Sequence, residues 1–143
     1  MKPLFVFLNR QMSVPFAWGG FDGGTDCCLL VADWWRWLHG SDPADSLRYC
    51  YDSPASCHRL TGWFRDPVAV VSQIAEGRCG LRRTDAPRRG DIGVVRIGDD
   101  GAVKTVGAIC IGRAWCMKSD GRGVTTTDRV EVMAAWGMGY SDA

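Results

Sequence analysis

Histidine is nearly missing from this sequence: the 143 residues include two, His39 and His58. That scarcity restricts any mechanism needing an imidazole as base or ligand. Long apolar runs are missing too. None approaches the roughly 18 residues of a membrane-spanning helix. The N-terminal stretch Leu4-Phe5-Val6-Phe7-Leu8 closes on Asn9-Arg10. It is too short for a signal peptide's apolar core, so a cytosolic origin with no signal peptide and no membrane is expected. A charge excess is lacking as well. Lys+Arg is 17 against Asp+Glu 16, a formal net charge of +1, which argues against nucleic acid or an anionic membrane as partner. No Cys-x-x-Cys pair occurs, and Cys50, Cys57, His58 and Cys79 fit no common zinc spacing. No metal and no cofactor are expected.

What is there is a compact composition rich in Trp (7), Cys (7) and Gly (18). With 46% hydrophobic and 23% charged residues, the chain reads as one globular domain, 1–143. An odd cysteine count in a reducing compartment predicts free thiols that pack as small hydrophobes. Residues 1–77 carry helical patterning and most of the Trp. Residues 90–138 are rich in Val, Ile, Thr and Gly and read as short strands. Between them, 78–89 is a polar loop with arginines at 78, 82, 83, 88 and 89.

Local signals divide the halves further. Asp26 is placed to cap a helix whose face is Cys27, Leu30, Val31, Trp34 and Leu38, ending at His39-Gly40. Trp35 and Trp37 lie off that stripe and are candidate contact residues. Ser53-Pro54 opens a short helix, and Asp66 caps another from Pro67 to Glu76, closed by Gly77. Strands follow at Ile92–Ile97, Thr105–Ile111, Ala114–Lys118 and Val124–Thr127, with a last apolar segment at 132–138. Turns are expected at Asp99-Asp100-Gly101 and Asp120-Gly121. The expected architecture is α+β, helices first and then an antiparallel meander.

The candidate chemistry lies at Pro15-Phe16-Ala17-Trp18-Gly19-Gly20 and Gly24-Thr25-Asp26-Cys27-Cys28. A glycine-rich loop delivers a cysteine to the first turn of a helix. There the unpaired amides favour a thiolate, the nucleophilic form, and can stabilise an oxyanion. The same residues also suit a plain structural turn opening an apolar face.

This segment resembles the nucleophile loop of the NlpC-type papain-like cell-wall peptidases, in which an aromatic-Trp-Gly-Gly loop precedes an Asp-Cys pair at a helix start. Arg89-Gly90-Asp91-Ile92-Gly93-Val94-Val95 is similar to that family's strand entry, and Val106-Gly107-Ala108-Ile109-Cys110-Ile111-Gly112 to its following strand. The plan most resembles small phage-encoded members found among tail genes. The resemblance implies a papain-like NlpC-type fold, N-terminal helices packed on a C-terminal antiparallel sheet, with Cys27 as nucleophile.

Several parts of the family's machinery are replaced: no His stands near Met117-Lys118 to orient a base, Cys28-Leu29 takes the place of Ser-Gly, and Phe16 that of the loop Tyr. The slot of the general base falls on Val106, or on Thr105 one position earlier, and neither accepts a proton from a thiol near neutral pH. His39 lies about 18 Å along the same helix from Cys27, at 1.5 Å per residue. His58 is the remaining candidate base, by an arrangement foreign to the family. The expectation is therefore a non-catalytic structural or assembly protein of a phage tail, made in the host cytoplasm and located in the virion, with other tail proteins as partners. Trp18, Gly19, Gly20, Trp35, Trp37, Arg82, Arg83, Arg88 and Arg89 are its candidate binding residues. The alternative is an active cysteine hydrolase cutting peptidoglycan, with Cys27 as nucleophile, Asp26 beside it and His58 as base. A metal- or redox-linked thiol protein is a third reading, carried only by the cysteine count.

Overall fold

The computed structural model describes residues 2–99, 101–120 and 123–142. Asp100 and Gly121, at the two expected turns, lie outside them. Four helices precede a six-stranded antiparallel sheet: α1 (Pro3–Gln11), α2 (Leu30–His39), α3 (Pro54–Thr61), α4 (Pro67–Ala75), β1 (Arg82–Arg83), β2 (Ile92–Asp99), β3 (Ala102–Cys110), β4 (Trp115–Ser119), β5 (Gly123–Thr127) and β6 (Glu131–Gly137). No helix among the described residues is long and apolar enough to cross a membrane.

Each helix follows from local chemistry. In α1, Pro3 occupies the first position and Leu4, Phe7, Leu8 and Gln11 form the buried stripe. Helix α2 stops at Gly40, whose left-handed φ of +83° lets its N–H reach Arg36 O at 2.8 Å. Helix α3 carries a reciprocal cap between Ser53 and Ser56. Asp66 accepts the Ala69 N–H at the start of α4.

The sheet runs in the order β1-β6-β2-β3-β4-β5, which corrects the expected meander. The last strand does not follow β5 in space. It returns across the molecule and pairs with β2, placing Ile92 opposite Trp136 and Val94 opposite Ala134. In that position Trp136 is fully enclosed, in the core that Ile92 and Val94 share with the helices. The expected loop 78–89 is also corrected in part, because Arg82 and Arg83 form the edge strand β1 against Gly137 and Trp136. Helix α4 ends at Ala75, short of the expected Glu76-Gly77 stop.

Both sheet faces are covered. Ile92, Val94, Ile109, Cys116 and Trp136 join the helices in the main core around Trp34. Val95, Val106, Ala108, Cys110, Trp115 and Met117 form a second cluster on the opposite face. Trp34 links the halves: its indole N–H donates to Gly90 O at 2.8 Å, and its ring meets Phe7 and Tyr140. The seven cysteines are all free.

Candidate functional site

The site is built around Asp26. Its carboxylate is completely buried and accepts four hydrogen bonds. Oδ1 takes the N–H groups of Cys28 and Leu29, each at 2.8 Å. Oδ2 takes the Gly19 N–H at 2.9 Å and the Tyr51 hydroxyl at 2.8 Å. A buried charge without a cation beside it is tolerated only when its lone pairs are filled in this way. Asp26 thus caps as the sequence predicts. The turn it caps spans 26–29 and leads into α2, which begins at Leu30, with Leu30 N–H bonded to Asp26 O.

The glycine loop is fixed from the same centre. Ala17 N–H bonds Thr25 O and Thr25 N–H bonds Pro15 O, closing the loop on itself. Gly19 has φ +76°, and a Cβ there would stand 1.9 Å from Tyr51 O, so only glycine fits. Gly19 O accepts the Tyr49 N–H. Gly19 is enclosed and serves the loop's shape; Trp18 packs edge-on against Phe16 at 5.4 Å.

Cys27 is half-buried at the mouth of this turn, its sulfur 4.0 Å from that of Cys28. Strand β3 lies directly against it, with the Gly107 N–H donating to Cys27 O at 3.1 Å. A side chain at Gly107 would meet that oxygen at 2.9 Å. Strand alternation places Thr105 and Gly107 on one face and Val106 on the other, in the second cluster, against which Cys27 itself packs. Thr105 O accepts the Trp63 indole N–H.

Cys28 turns inward, beside Cys57 of α3, Tyr51 and Trp63, onto an apolar cavity of about 40 Å³. Hydrogen bonding to Cys27 and Cys57, followed by burial, pushes the Cys28 thiol well up. The bond from Cys28 brings Cys57 down. Burial, then Asp26, holds the Tyr51 phenol protonated far above its usual range. No local pattern marks Tyr51, and Cys57 entered the sequence reading only through its spacing to the other cysteines.

His58 is engaged elsewhere. Its Nδ1 accepts the Phe64 N–H at 3.0 Å, and its ring lies 5.3 Å from that of Phe64. His39 stacks on Trp35 at 3.8 Å at the far end of α2. The structure therefore brings Asp26, Cys27 and the glycine loop together, and gives His58 an acceptor role towards the backbone.

The arginines are divided among several elements. Arg78 pairs with Asp45 at 2.7 Å, Arg83 reaches Glu76 and overlies Trp136, and Arg89 pairs with Asp142 and overlies Phe5. Arg82 and Arg88 are exposed. Trp37 is exposed on α2, with the Arg10 guanidinium 4.9 Å from its ring. Among the described residues no group of three or more His, Cys, Asp or Glu side chains is gathered to hold a metal.

No curated protein and no solved structure matches this chain. A family model does match it over residues 2–138, nearly its whole length, and the chain belongs to that family, described as Domain of unknown function (DUF6950).

Proposed function

We propose that this is a non-catalytic assembly protein of a phage tail, a papain-like domain of the NlpC type in which the nucleophile position survives without its base. The observation that carries this reading is the contact between β3 and Cys27. The strand is held against the thiol's own backbone through Gly107, Cys27 packs against the cluster that holds Val106, and Val106, in the base's slot, has no group that accepts a proton. The amides of Cys28 and Leu29 are already bonded to Asp26, so they are not available to an oxyanion. The phage-tail assignment rests on the resemblance of the three motifs, and Trp37 and the exposed arginines are its candidate contacts with neighbouring tail proteins.

A second reading has one observation in its favour. Cys27 is half-exposed at the turn into α2 with a strand against it, a placement from which a thiol can attack a carbonyl. The test separates the two. Purified protein and its Cys27→Ala variant are incubated with isolated peptidoglycan, and released peptides are measured by mass spectrometry. The assembly reading expects no release from either protein, and the chain to be found by mass spectrometry in purified tails. Release by wild type that is lost in Cys27→Ala overturns it in favour of the hydrolase.

A further inference from the structure

Three thiols line the apolar cavity of about 40 Å³ between α2, α3 and α4: Cys28, Cys57 and Cys79. Those of Cys28 and Cys57 are hydrogen-bonded to each other, whereas the charge beside Cys79 is that of Arg78. Cys28 lies in the turn before α2 and Cys57 in α3. Two thiols in contact from separate segments of chain are placed to be joined by side-chain rotation, and the bond between them closes a loop of about 30 residues. Cys27 Sγ is near as well, 4.0 Å from Cys28 Sγ. Adjacent residues, however, hold their Cα atoms about 3.8 Å apart, short of the roughly 4.4–6.8 Å that a disulfide spans. Cys57 is therefore the partner that suits Cys28.

The pair is asymmetric. The hydrogen bond from Cys28 brings the Cys57 thiol down, while bonding to Cys27 and Cys57 pushes Cys28 up. Thiolate is the form an oxidant attacks, so Cys57 is the reacting sulfur and Cys28 keeps its proton. Cys57 is only 2% exposed, which limits the oxidant to one that fits the cavity. A volume of about 40 Å³ exceeds the roughly 10–15 Å³ that one water-sized molecule needs. The apolar lining favours a neutral molecule over a charged one.

We propose that Cys28 and Cys57 are a modification site for a small neutral hydroperoxide, hydrogen peroxide being the simplest, which oxidises them to a disulfide between the turn before α2 and α3. The Cys57 thiolate attacks one peroxide oxygen and the O–O bond breaks, leaving a sulfenic acid and a hydroxide that takes up the proton Cys57 gave. Cys28 sulfur then attacks Cys57 sulfur, the S–O bond breaks, and the oxygen leaves as water with the Cys28 proton. Two thiols lose two hydrogens and the peroxide becomes two waters. Cys27 stays a free thiol, so the site is independent of whether Cys27 is catalytic.

The test is mass spectrometry of the folded protein after hydrogen peroxide, trapping in denaturant with N-ethylmaleimide, and trypsin. Cys27→Ser/Cys50→Ser is run beside wild type, so that the tryptic peptides 11–36 and 49–59 carry Cys28 and Cys57 as their only thiols. Wild type, with the linkage located by fragmentation, gives the same reading without a substitution. The expected product is those two peptides linked and short of two hydrogens, with maleimide lost from both cysteines and regained after dithiothreitol. Cys28→Ser is expected to leave Cys57 as a sulfenic acid that dimedone traps. Glutathione disulfide, charged and too large for the cavity, is expected to link the pair about tenfold more slowly or worse. The proposal is overturned if both cysteines stay fully labelled, or if either links only to Cys27 or Cys79. Linkage only in protein unfolded before the peroxide is added overturns it, as does equal speed with glutathione disulfide.

Discussion

Asp26 and Asp33 lie seven positions apart on the same stretch of chain and do opposite work. Asp26 is sealed from solvent and ringed by four neutral donors: three backbone N–H groups and the Tyr51 hydroxyl. Asp33 lines an open polar cleft beside the glycine loop, bonded to the Thr25 hydroxyl and paired with Arg48. The first carboxylate ties the loop, the turn before α2 and the segment at Tyr51 into one unit. The second is half of a charge pair at a surface that water reaches. A buried anion held by amides is committed to the fold through the backbone, whereas Asp33 is held through a side chain, Arg48, that it shares with Asp42.

The comparison breaks most visibly at Asp26. Asp26→Ala leaves four buried donors without an acceptor, and a loss of about 4 kcal/mol or more is expected, read as a drop in the denaturant midpoint at constant slope. A loss under about 1 kcal/mol would show that water replaces the carboxylate.

Gly19→Ala tests the same unit through the backbone. Its methyl group would collide with Tyr51 O in a left-handed conformation, and a loss of about 3 kcal/mol is expected. By contrast Gly23, also left-handed but with open space around its Cβ position, is expected to cost only about 1 kcal/mol as Ala. Thermal unfolding of the two variants side by side reads the difference.

The smallest effect is at Asp33, and it appears as pH dependence. Burial pushes its carboxyl up, with Arg48 pulling against it. The native state therefore holds this proton more tightly than the unfolded chain does. That contribution is fully present below the ordinary carboxylate range, about pH 4, and is lost as pH rises through the raised native value. Asp33→Asn is expected to remove this step from the stability profile. Urea unfolding across mildly acidic pH measures it, and an unchanged profile would assign the titration to another group.

The sequence was legible wherever structure is decided within one turn of chain. The caps at Asp26, Ser53 and Asp66 and the stop at Gly40 were all readable, because each is a side chain or a φ angle serving backbone groups three or four residues away. What depended on distant pairing was hidden. The apolar run at 132–138 showed that a last strand or helix was present, but not that it returns to β2, because that pairing joins residues about forty positions apart. The edge strand at Arg82-Arg83 was masked by its charge, which suits a sheet edge as well as a loop. At the site, Cys27 and Asp26 stood out through the loop that delivers them. Tyr51 and Cys57 did not. The burial of Gln11 was hidden too: a glutamine on a short helix reads as surface until Lys118 of β4 is seen clasping the end of that helix.

That clasp has a consequence for how the molecule is made. The buried Lys118 ammonium donates to Gln11 O at 2.7 Å and to Val14 O, filling carbonyls at the end of α1. The first turn of α1 is held likewise by Tyr140, whose hydroxyl accepts the Leu4 N–H at 3.1 Å. Both partners lie more than a hundred residues downstream. During synthesis α1 leaves the ribosome before either partner, and these two bonds form only after β4 and Tyr140 have followed. At the common pace of about 5–20 residues per second, its apolar face, Leu4, Phe7 and Leu8, waits several seconds for the sheet that holds it.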